Sequence, residues 1–403
     1  MKEKILGLLK KYQKNLKQGL FFIAFAALSL FTSFLYLFSR KEVLVYKTRL
    51  DALTSEKNSL STILQNTLSE LEKVKSEDQY LKNKELEEEI KNINEGYKNV
   101  VSIYEDLLDF KSISKNTQDY DKLFAESLNL LAQRNYASAS TKITSLSQKI
   151  KEETQKITSS FQIPENIASS NTPPSSGYSR QRVQTEIGSF MVSIVAADLN
   201  STRVIVDTAS DSDCHDNCPV LALADYISRN GAFAGVNGSY FCPASYPSCA
   251  GKTNSFDTLL MNKNKTYFNS DNNVYSNVPA VIFSGNSARF ITRSLEWGRD
   301  TGVDAVIANQ PLLVLNGSIT FGGDDDPKKG SKGNRSFIGA TGSTVYIGVV
   351  HNATVAESAR VLHAMGIQNA LNLDNGGSTA LWSGGYKVGP GRNIPNALLF
   401  IRK

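Results

Sequence analysis

Three polar stretches in the C-terminal half of the chain contain residues that could do chemistry. They are residues 237–241 (Asn-Gly-Ser-Tyr-Phe), 335–339 (Arg-Ser-Phe-Ile-Gly) and 372–379 (Asn-Leu-Asp-Asn-Gly-Gly-Ser-Thr). The first follows a predicted strand, the second starts one and the third ends one, and loops at such positions are where binding and catalytic sites are usually built. A carboxyl group can donate or accept a proton, and a guanidinium can hold a phosphate through two parallel hydrogen bonds. Asn-Gly and Gly-Gly also make ordinary turns, so each stretch alone is a weak signal.

Two further segments complete the pattern. Residues 354–359 read Thr-Val-Ala-Glu-Ser-Ala, and Arg392 is followed by Asn396 and Ala397. Taken in order, the five motifs resemble those of the phosphodiester glycosidase family, and the resemblance covers roughly residues 183–403.

The resemblance implies a hydrolase that cleaves a sugar-1-phosphodiester. Asp374 and Glu357 are the implied catalytic carboxyl groups, one acting as acid and the other as base or nucleophile. Arginine side chains and glycine amides would hold the phosphate, and the remaining polar groups would hold the sugar. The substrate-binding candidates are Arg335, Asn237, Tyr240, Asn372, Gly376, Gly377, Ser378 and Arg392. We expect no metal ion and no cofactor.

Alternatives to these roles remain open at this point. The Thr354-x-x-Glu357 spacing is also that of a helix capping box. Asp374 could be a turn residue, and either arginine could form a surface ion pair. The chain departs from the family pattern at Ser239 and Asn375, where glycine is usual. A non-catalytic module that binds a glycan or sugar phosphate is therefore the alternative to the hydrolase.

The pattern from residue 183 onward predicts a mixed α/β (α+β) sheet domain with many short strands and few helices. Two helices are predicted, at residues 219–229 and 355–365, each with glycine just past its end. The predicted strands are residues 190–197, 203–207, 232–236, 280–283, 305–308, 336–340, 345–350, 370–373 and 398–401.

Glycine and proline divide the chain into two parts. All 11 prolines follow residue 163, and only three of the 27 glycines precede it. Because these residues punctuate turns, the first part is predicted to be helical and the second to consist of strands and loops.

The N-terminus predicts a membrane anchor. Residues 1–18 contain six lysines and one acid, and the other 385 residues have no net charge. No nucleic-acid partner is expected, because no basic stripe remains. Residues 19–39 include an uncharged apolar run long enough to cross a bilayer. The preceding lysines favour a cytoplasmic N-terminus, so we expect a single-pass protein of the cell membrane whose C-terminal domain is extracytoplasmic.

All four cysteines lie in the predicted extracytoplasmic part. Cys214, Cys218, Cys242 and Cys249 favour disulfides over a zinc site, because the compartment is oxidising and the second spacing is wide for zinc. Two local pairs are preferred, although four cysteines allow three connectivities.

Residues 40–162 are predicted to form a coiled-coil and helical stalk, followed by a flexible linker at 163–182. Leucines at alternating spacings of three and four predict a seam that faces a partner helix. Lys57, Thr67 and Asp78 interrupt that seam. Because the anchors share one membrane, we expect a parallel homo-oligomer. Residues 118–160 are predicted to form a helical pair with a break near Asn135.

Overall fold

The computed structural model describes residues 2–269 and 276–403, so Met1 of the predicted basic tail lies outside the described residues. The chain divides into two compact units, Met1–Lys91 and Asn92–Lys403.

The N-terminal unit is built on helix α1, Lys2–Ser76, which contains the predicted membrane segment. Within the described residues it is the one helix long and apolar enough to cross a membrane. Its apolar side chains are exposed in the single chain, including the seam residues Leu53 and Leu60. The coiled coil and its partner therefore remain a prediction.

The helical part of the C-terminal unit folds as a bundle within one chain. Helices α2 (Asp78–Lys111), α3 (Gln118–Ala132) and α4 (Tyr136–Ser159) contribute to a small bundle, with Leu107 and Leu146 fully buried in its core. Residues 92–162 thus fold in one compact unit with the sheet domain. An amphipathic stripe can be covered by its own chain as well as by a partner, and here its own chain covers it.

The predicted helical pair is confirmed by α3 and α4. The break lies where predicted, because Asn135 caps α4 by accepting a hydrogen bond from the Ser138 N–H (3.2 Å).

The predicted flexible linker at 163–182 is wrong in its last part, from Gly177 onward. Its last residues belong to strand β1, Gly177–Thr185, which pairs along its whole length with β2, Gly188–Asp198. The preceding segment is tied to β1 by the Arg182 N–H, which donates to the Ala168 carbonyl (2.8 Å). The Gln181 amide also donates to the Ser170 carbonyl (2.7 Å). Proline and serine are common both in segments at the edge of a sheet and in linkers. The amino-acid composition of residues 163–176 therefore could not distinguish the two.

In the described residues, three antiparallel sheets accompany the bundle, which confirms the mixed α+β class. The seven-stranded sheet has the order β1-β2-β13-β12-β14-β10-β11. Its further strands are β10 (Leu312–Leu315), β11 (Ser318–Ile319), β12 (Gly333–Thr341), β13 (Thr344–Ala353) and β14 (Asn369–Asn372).

Each of the other two sheets has five strands. The order β16-β15-β4-β17-β3 joins Tyr386–Val388, Leu381–Ser383, Ala234–Asn237, Asn396–Arg402 and Thr202–Thr208. The order β6-β5-β9-β7-β8 joins Tyr267–Phe268, Leu260–Met261, Ala305–Ala308, Ala280–Ser284 and Ser287–Ile291.

One apolar core lies between the three sheets, and helices cover two outer faces. Val195, Val206 and Ile307 represent the three sheets in that core. Helix α7, Val355–Ala364, packs on the seven-stranded sheet, and α5, Leu223–Asn230, packs on the second sheet. A single turn, α6, spans Pro327–Gly330.

All nine predicted strands are present, and one predicted helix starts late. The helix expected from residue 219 begins at Leu223, because the chain before it is extended and the Leu221 N–H donates to the Ile394 carbonyl (3.0 Å).

The disulfide prediction is confirmed in its preferred pairing. Cys214 is bonded to Cys218, and Cys242 to Cys249. The zinc alternative is excluded because each thiol is consumed by a disulfide.

Candidate functional site

The candidate site lies where strand ends from the three sheets meet. Asn237 ends β4, Asn372 ends β14, Asn396 begins β17 and Asn309 follows β9. All four side chains are 0% exposed. A buried amide is costly unless its donors and acceptor are paired, so these residues must bond to the protein.

The hydrogen bonds of these amides join the sheets to one another. Asn309 Nδ2 donates to the Asn372 carbonyl (2.8 Å), and Asn309 Oδ1 accepts from the Tyr240 N–H (3.0 Å). Asn237 Nδ2 donates to the Asp374 carbonyl (2.7 Å). Asn237 and Asn372 were predicted to contact substrate, and their complete burial corrects this. They fix the loops that present Tyr240 and Asp374.

The two departures from the family pattern also have structural roles. Asn396 Nδ2 donates to Ser239 Oγ (3.3 Å), and this serine is 2% exposed. Asn375 Oδ1 accepts from the Ser336 N–H (2.9 Å), and its Nδ2 donates to Asn372 Oδ1 (3.0 Å). Asn375 has an extended φ of −127°, which any residue can adopt. Both side chains therefore join the buried network.

Asp374 is partly exposed and occupies the centre of the site. Its N–H donates to the Gly238 carbonyl (3.0 Å), and its Oδ1 accepts from the Asn375 N–H (2.8 Å). Burial raises the pKa of Asp374 to about 7, and the charge of Asp257 acts in the same direction. The Ser378 hydroxyl, the Asn375 N–H and the charge of Arg392 oppose that rise. The carboxyl group can therefore hold or release a proton near neutral pH.

Tyr240 and Asp257 interact electrostatically with Asp374. The Tyr240 hydroxyl accepts a hydrogen bond from Asn372 Nδ2 (2.7 Å), and burial and then the charge of Asp374 raise its pKa. The Asp257 N–H donates to the Tyr240 carbonyl (3.1 Å), and the Asp257 side chain is exposed. Sequence reasoning missed Asp257, because no motif marks it and only the fold brings it to Asp374.

Arg335 is bound to backbone carbonyls. Its side chain is 6% exposed, its Nε donates to the Ala353 carbonyl (2.9 Å) and its Nη2 donates to the Lys328 carbonyl (3.0 Å). Nη2 also donates to the Ser331 carbonyl. The structure therefore makes Arg335 a clamp on the loop that carries α6, which differs from the predicted phosphate ligand.

We expect Arg335→Ala to lower the free energy of unfolding by about 3 kcal/mol, because several carbonyls would lose a charged donor. Arg335→Lys should recover little, since an ammonium group cannot reproduce the planar fork. Denaturant unfolding of the two variants and of the exposed-residue control Arg402→Ala measures this. Unchanged stability, together with a selective loss of phosphate-bearing ligands, would restore the phosphate-binding role.

Glu357 is engaged at the start of α7. Its Oε2 accepts from the Thr354 N–H (2.7 Å), and its own N–H donates to Thr354 Oγ1 (3.0 Å), which forms a complete capping box. Its Oε1 lies 3.2 Å from Lys332 Nζ. Because both carboxylate oxygens have partners, we replace the predicted catalytic role of Glu357 by a capping role.

Arg392 lies against the glycine pair that follows Asp374. The Arg392 N–H donates to the Gly377 carbonyl (2.8 Å), and its guanidinium lies against Gly377 so closely that a Cβ there would overlap it. Gly376 has a φ of +64°, which favours glycine and turns the chain after Asp374. Ser378 is 2% exposed and bonds to Asp374. The Arg392 side chain remains 25% exposed.

The family comparison agrees with this geometry. Residues 230–401 match the phosphodiester glycosidase family. The match spans every site residue described above from Asn237 to Asn396. The family resemblance of the motifs is thereby confirmed, and the bundle and β1–β3 lie outside the matched part of the glycosidase-family domain.

Solved structures similar to the chain include three distant ones. A hypothetical protein from Synechocystis is 12% identical with a TM-score of 0.42, and the match covers 56% of this chain and 62% of that one. The zebrafish N-acetylglucosamine-1-phosphodiester alpha-N-acetylglucosaminidase catalytic domain, auto-inhibited by its pro-peptide, is 15% identical with a TM-score of 0.44, covering 59% and 87%. An exported protein from Burkholderia pseudomallei is 12% identical with a TM-score of 0.36, covering 53% and 74%. No curated protein matches the sequence.

Proposed function

We propose that the protein is a membrane-anchored, extracytoplasmic hydrolase that cleaves a sugar-1-phosphodiester linkage in a glycan or cell-envelope glycopolymer. The observation that supports this best is the Asp374 carboxyl group, whose pKa is raised to about 7 within electrostatic reach of Arg392. Such a group is protonated in a useful fraction of molecules at neutral pH, as a general acid must be.

In the proposed reaction, the bond between the sugar C1 and the phosphate oxygen breaks. Asp374 donates its proton to the departing phosphate oxygen, while Asp257 serves as the second carboxylate that such reactions require. Water supplies the hydroxyl group at C1, and the proton that this water loses is taken up by Asp257. The products are the free sugar and a phosphate monoester.

Binding of the phosphate is assigned to the partly exposed Arg392 and the backbone around Gly376 and Gly377. A guanidinium matches two phosphate oxygens, and glycine allows the backbone N–H groups to approach an anion. Tyr240, whose hydroxyl accepts from Asn372 Nδ2, is assigned to the sugar.

The proposed location depends on the N-terminal helix and the disulfides. The apolar part of α1 follows a lysine-rich tail, and disulfides suit an oxidising compartment. We also propose that the exposed seam of α1 associates in parallel with a second copy. Protease added to intact cells should release the C-terminal unit and spare the tail, and the opposite result would invert the topology.

The activity is tested with the full-length protein in detergent micelles and a panel of sugar-1-phosphodiesters and plain glycosides. The hydrolase should release both the free sugar and the phosphate monoester from at least one phosphodiester. Binding of phosphodiesters without release of either product would favour the alternative, a glycan-binding module that has lost turnover.

A further inference from the structure

Helix α2 contributes acidic side chains to a charged rim beside Arg392. We define the charged rim as Glu105 and Asp109 of α2 together with Lys328 and Arg392, all arranged around Tyr246. The Tyr246 hydroxyl donates to Asp109, whose Oδ1 lies 3.9 Å from Arg392 Nη2. Glu105 Oε2 lies 4.0 Å from Lys328 Nζ.

Both cations also lie over the Tyr246 ring. Arg392 Cζ is 5.4 Å and Lys328 Nζ is 4.7 Å from its centroid. The ring therefore holds the two cations in place through cation–π contacts. Glu105 and Asp109 add an equal number of negative charges, so the four charged groups of the rim sum to zero.

The acidic side chains are held in place by docking of the bundle. The Ser248 N–H donates to Glu105 Oε1 (3.1 Å), and the Glu105 side chain is only 12% exposed. At the C-terminal end of α4, Asn352 Nδ2 donates to the Thr158 carbonyl (2.8 Å). Neither Glu105 nor Asp109 lies in the part of the chain that matches the family. The bundle therefore adds charges that the glycosidase-family domain alone would lack.

We propose that Asp109, assisted by Glu105, determines which phosphate charge the site accepts, favouring the monoanionic diester over the dianionic monoester. This rests on the proposed function in one respect, that the phosphate binds at Arg392.

The physical reason is that Coulomb energy is proportional to the charge of the ligand. A phosphodiester carries one negative charge, whereas a phosphate monoester carries nearly two above pH 7, because its second pKa is about 6. A fixed carboxylate near Arg392 therefore penalises the monoester about twice as much in free energy. Since hydrolysis converts the diester into the monoester, the same carboxylate favours product release.

The test uses the full-length protein in micelles and two probes that contain no sugar. Dimethyl phosphate is the monoanion and methyl phosphate the dianion, and ligand-observed NMR titration at pH 8 gives both dissociation constants. Asp109→Asn removes the charge but keeps an oxygen that accepts from the Tyr246 hydroxyl. We expect affinity to rise about threefold for dimethyl phosphate and about tenfold, the square of that factor, for methyl phosphate. Both gains should shrink in high salt.

Two matched variants make the result specific. Glu105→Gln should act in the same direction as Asp109→Asn. Glu126→Gln removes an acidic side chain of the bundle that pairs with Lys142 away from the charged rim, and it should change neither affinity.

The inference is overturned if Asp109→Asn raises the affinity for both probes by the same factor, or if it weakens binding. It is also overturned if neither the wild type nor the variant binds either probe. Weaker binding would make Asp109 a residue that positions Arg392. Absence of turnover on the phosphodiester panel, with the expected affinities intact, would refute the proposed function alone.

Discussion

Asp374→Asn is expected to lower kcat for a sugar-1-phosphodiester by about 100- to 10,000-fold, the usual contribution of a general acid. KM should change little, because the proton is transferred only in the transition state. Asparagine keeps an oxygen that can accept from the Asn375 N–H and the Ser378 hydroxyl, so the loop after β14 should keep its conformation. Initial rates over a range of substrate concentrations separate kcat from KM.

Two further variants sharpen that measurement. Asp257→Asn should also reduce kcat, because it removes the second carboxylate. Asp325→Asn changes an exposed loop residue and serves as the control. A wild-type rate for Asp374→Asn would contradict the assignment.

The pH dependence follows from the same carboxyl group. With a pKa of about 7, Asp374 loses its proton as the pH rises through neutrality. Activity of the wild-type protein should therefore fall above about pH 7, and the residual activity of Asp374→Asn should lack that step.

The fold was predicted best where strands are long and apolar. β2, β12 and β13 have buried runs of several residues, and such runs are visible in a sequence. β5 and β11 have two residues each, so no periodicity could mark them. Their places depend on pairing with β9 and β10, which is decided by tertiary structure.

Within the site, sequence identified residue types but could not tell which way their side chains face. Both Asp374 and Arg392 lie in the motifs, and the charge of Arg392 acts on the Asp374 carboxyl group. Asn237 occupies an equally distinctive motif, yet its amide bonds to the Ser336 hydroxyl (2.8 Å) and the Ala380 N–H (3.1 Å). Whether a polar side chain faces the substrate or a neighbouring strand depends on how the separate sheets pack against one another, which the sequence motifs do not show.

The helical bundle shows a second feature that the sequence could not predict, namely what covers an apolar helix face. The apolar stripe that includes Leu107 predicts a buried face but not what covers it. Tyr246 and Asp109 are 137 positions apart in the chain, and no local pattern links them. The acidic edge of α2 could therefore be predicted as a solvated helix face but not as part of the charged rim.

The same Asp374→Asn substitution should stabilise the protein at alkaline pH. The native pKa of about 7 lies above the value of 3.8 expected for an unfolded chain, so the native state favours the protonated form. The contribution of Asp374 to stability is complete below pH 3.8 and is lost as the pH rises through 7. Asparagine does not titrate and avoids this loss.

Relative to the wild type, the variant should therefore gain about 2–4 kcal/mol in the free energy of unfolding at pH 8, and almost nothing at pH 4. Denaturant unfolding of both proteins at pH 4, 6 and 8 measures the difference. Parallel curves at all three pH values would mean that the Asp374 carboxyl is not perturbed, and would also remove the main support for its role as the acid. A gain in stability with a loss of turnover is expected of a residue kept for chemistry at the expense of the fold.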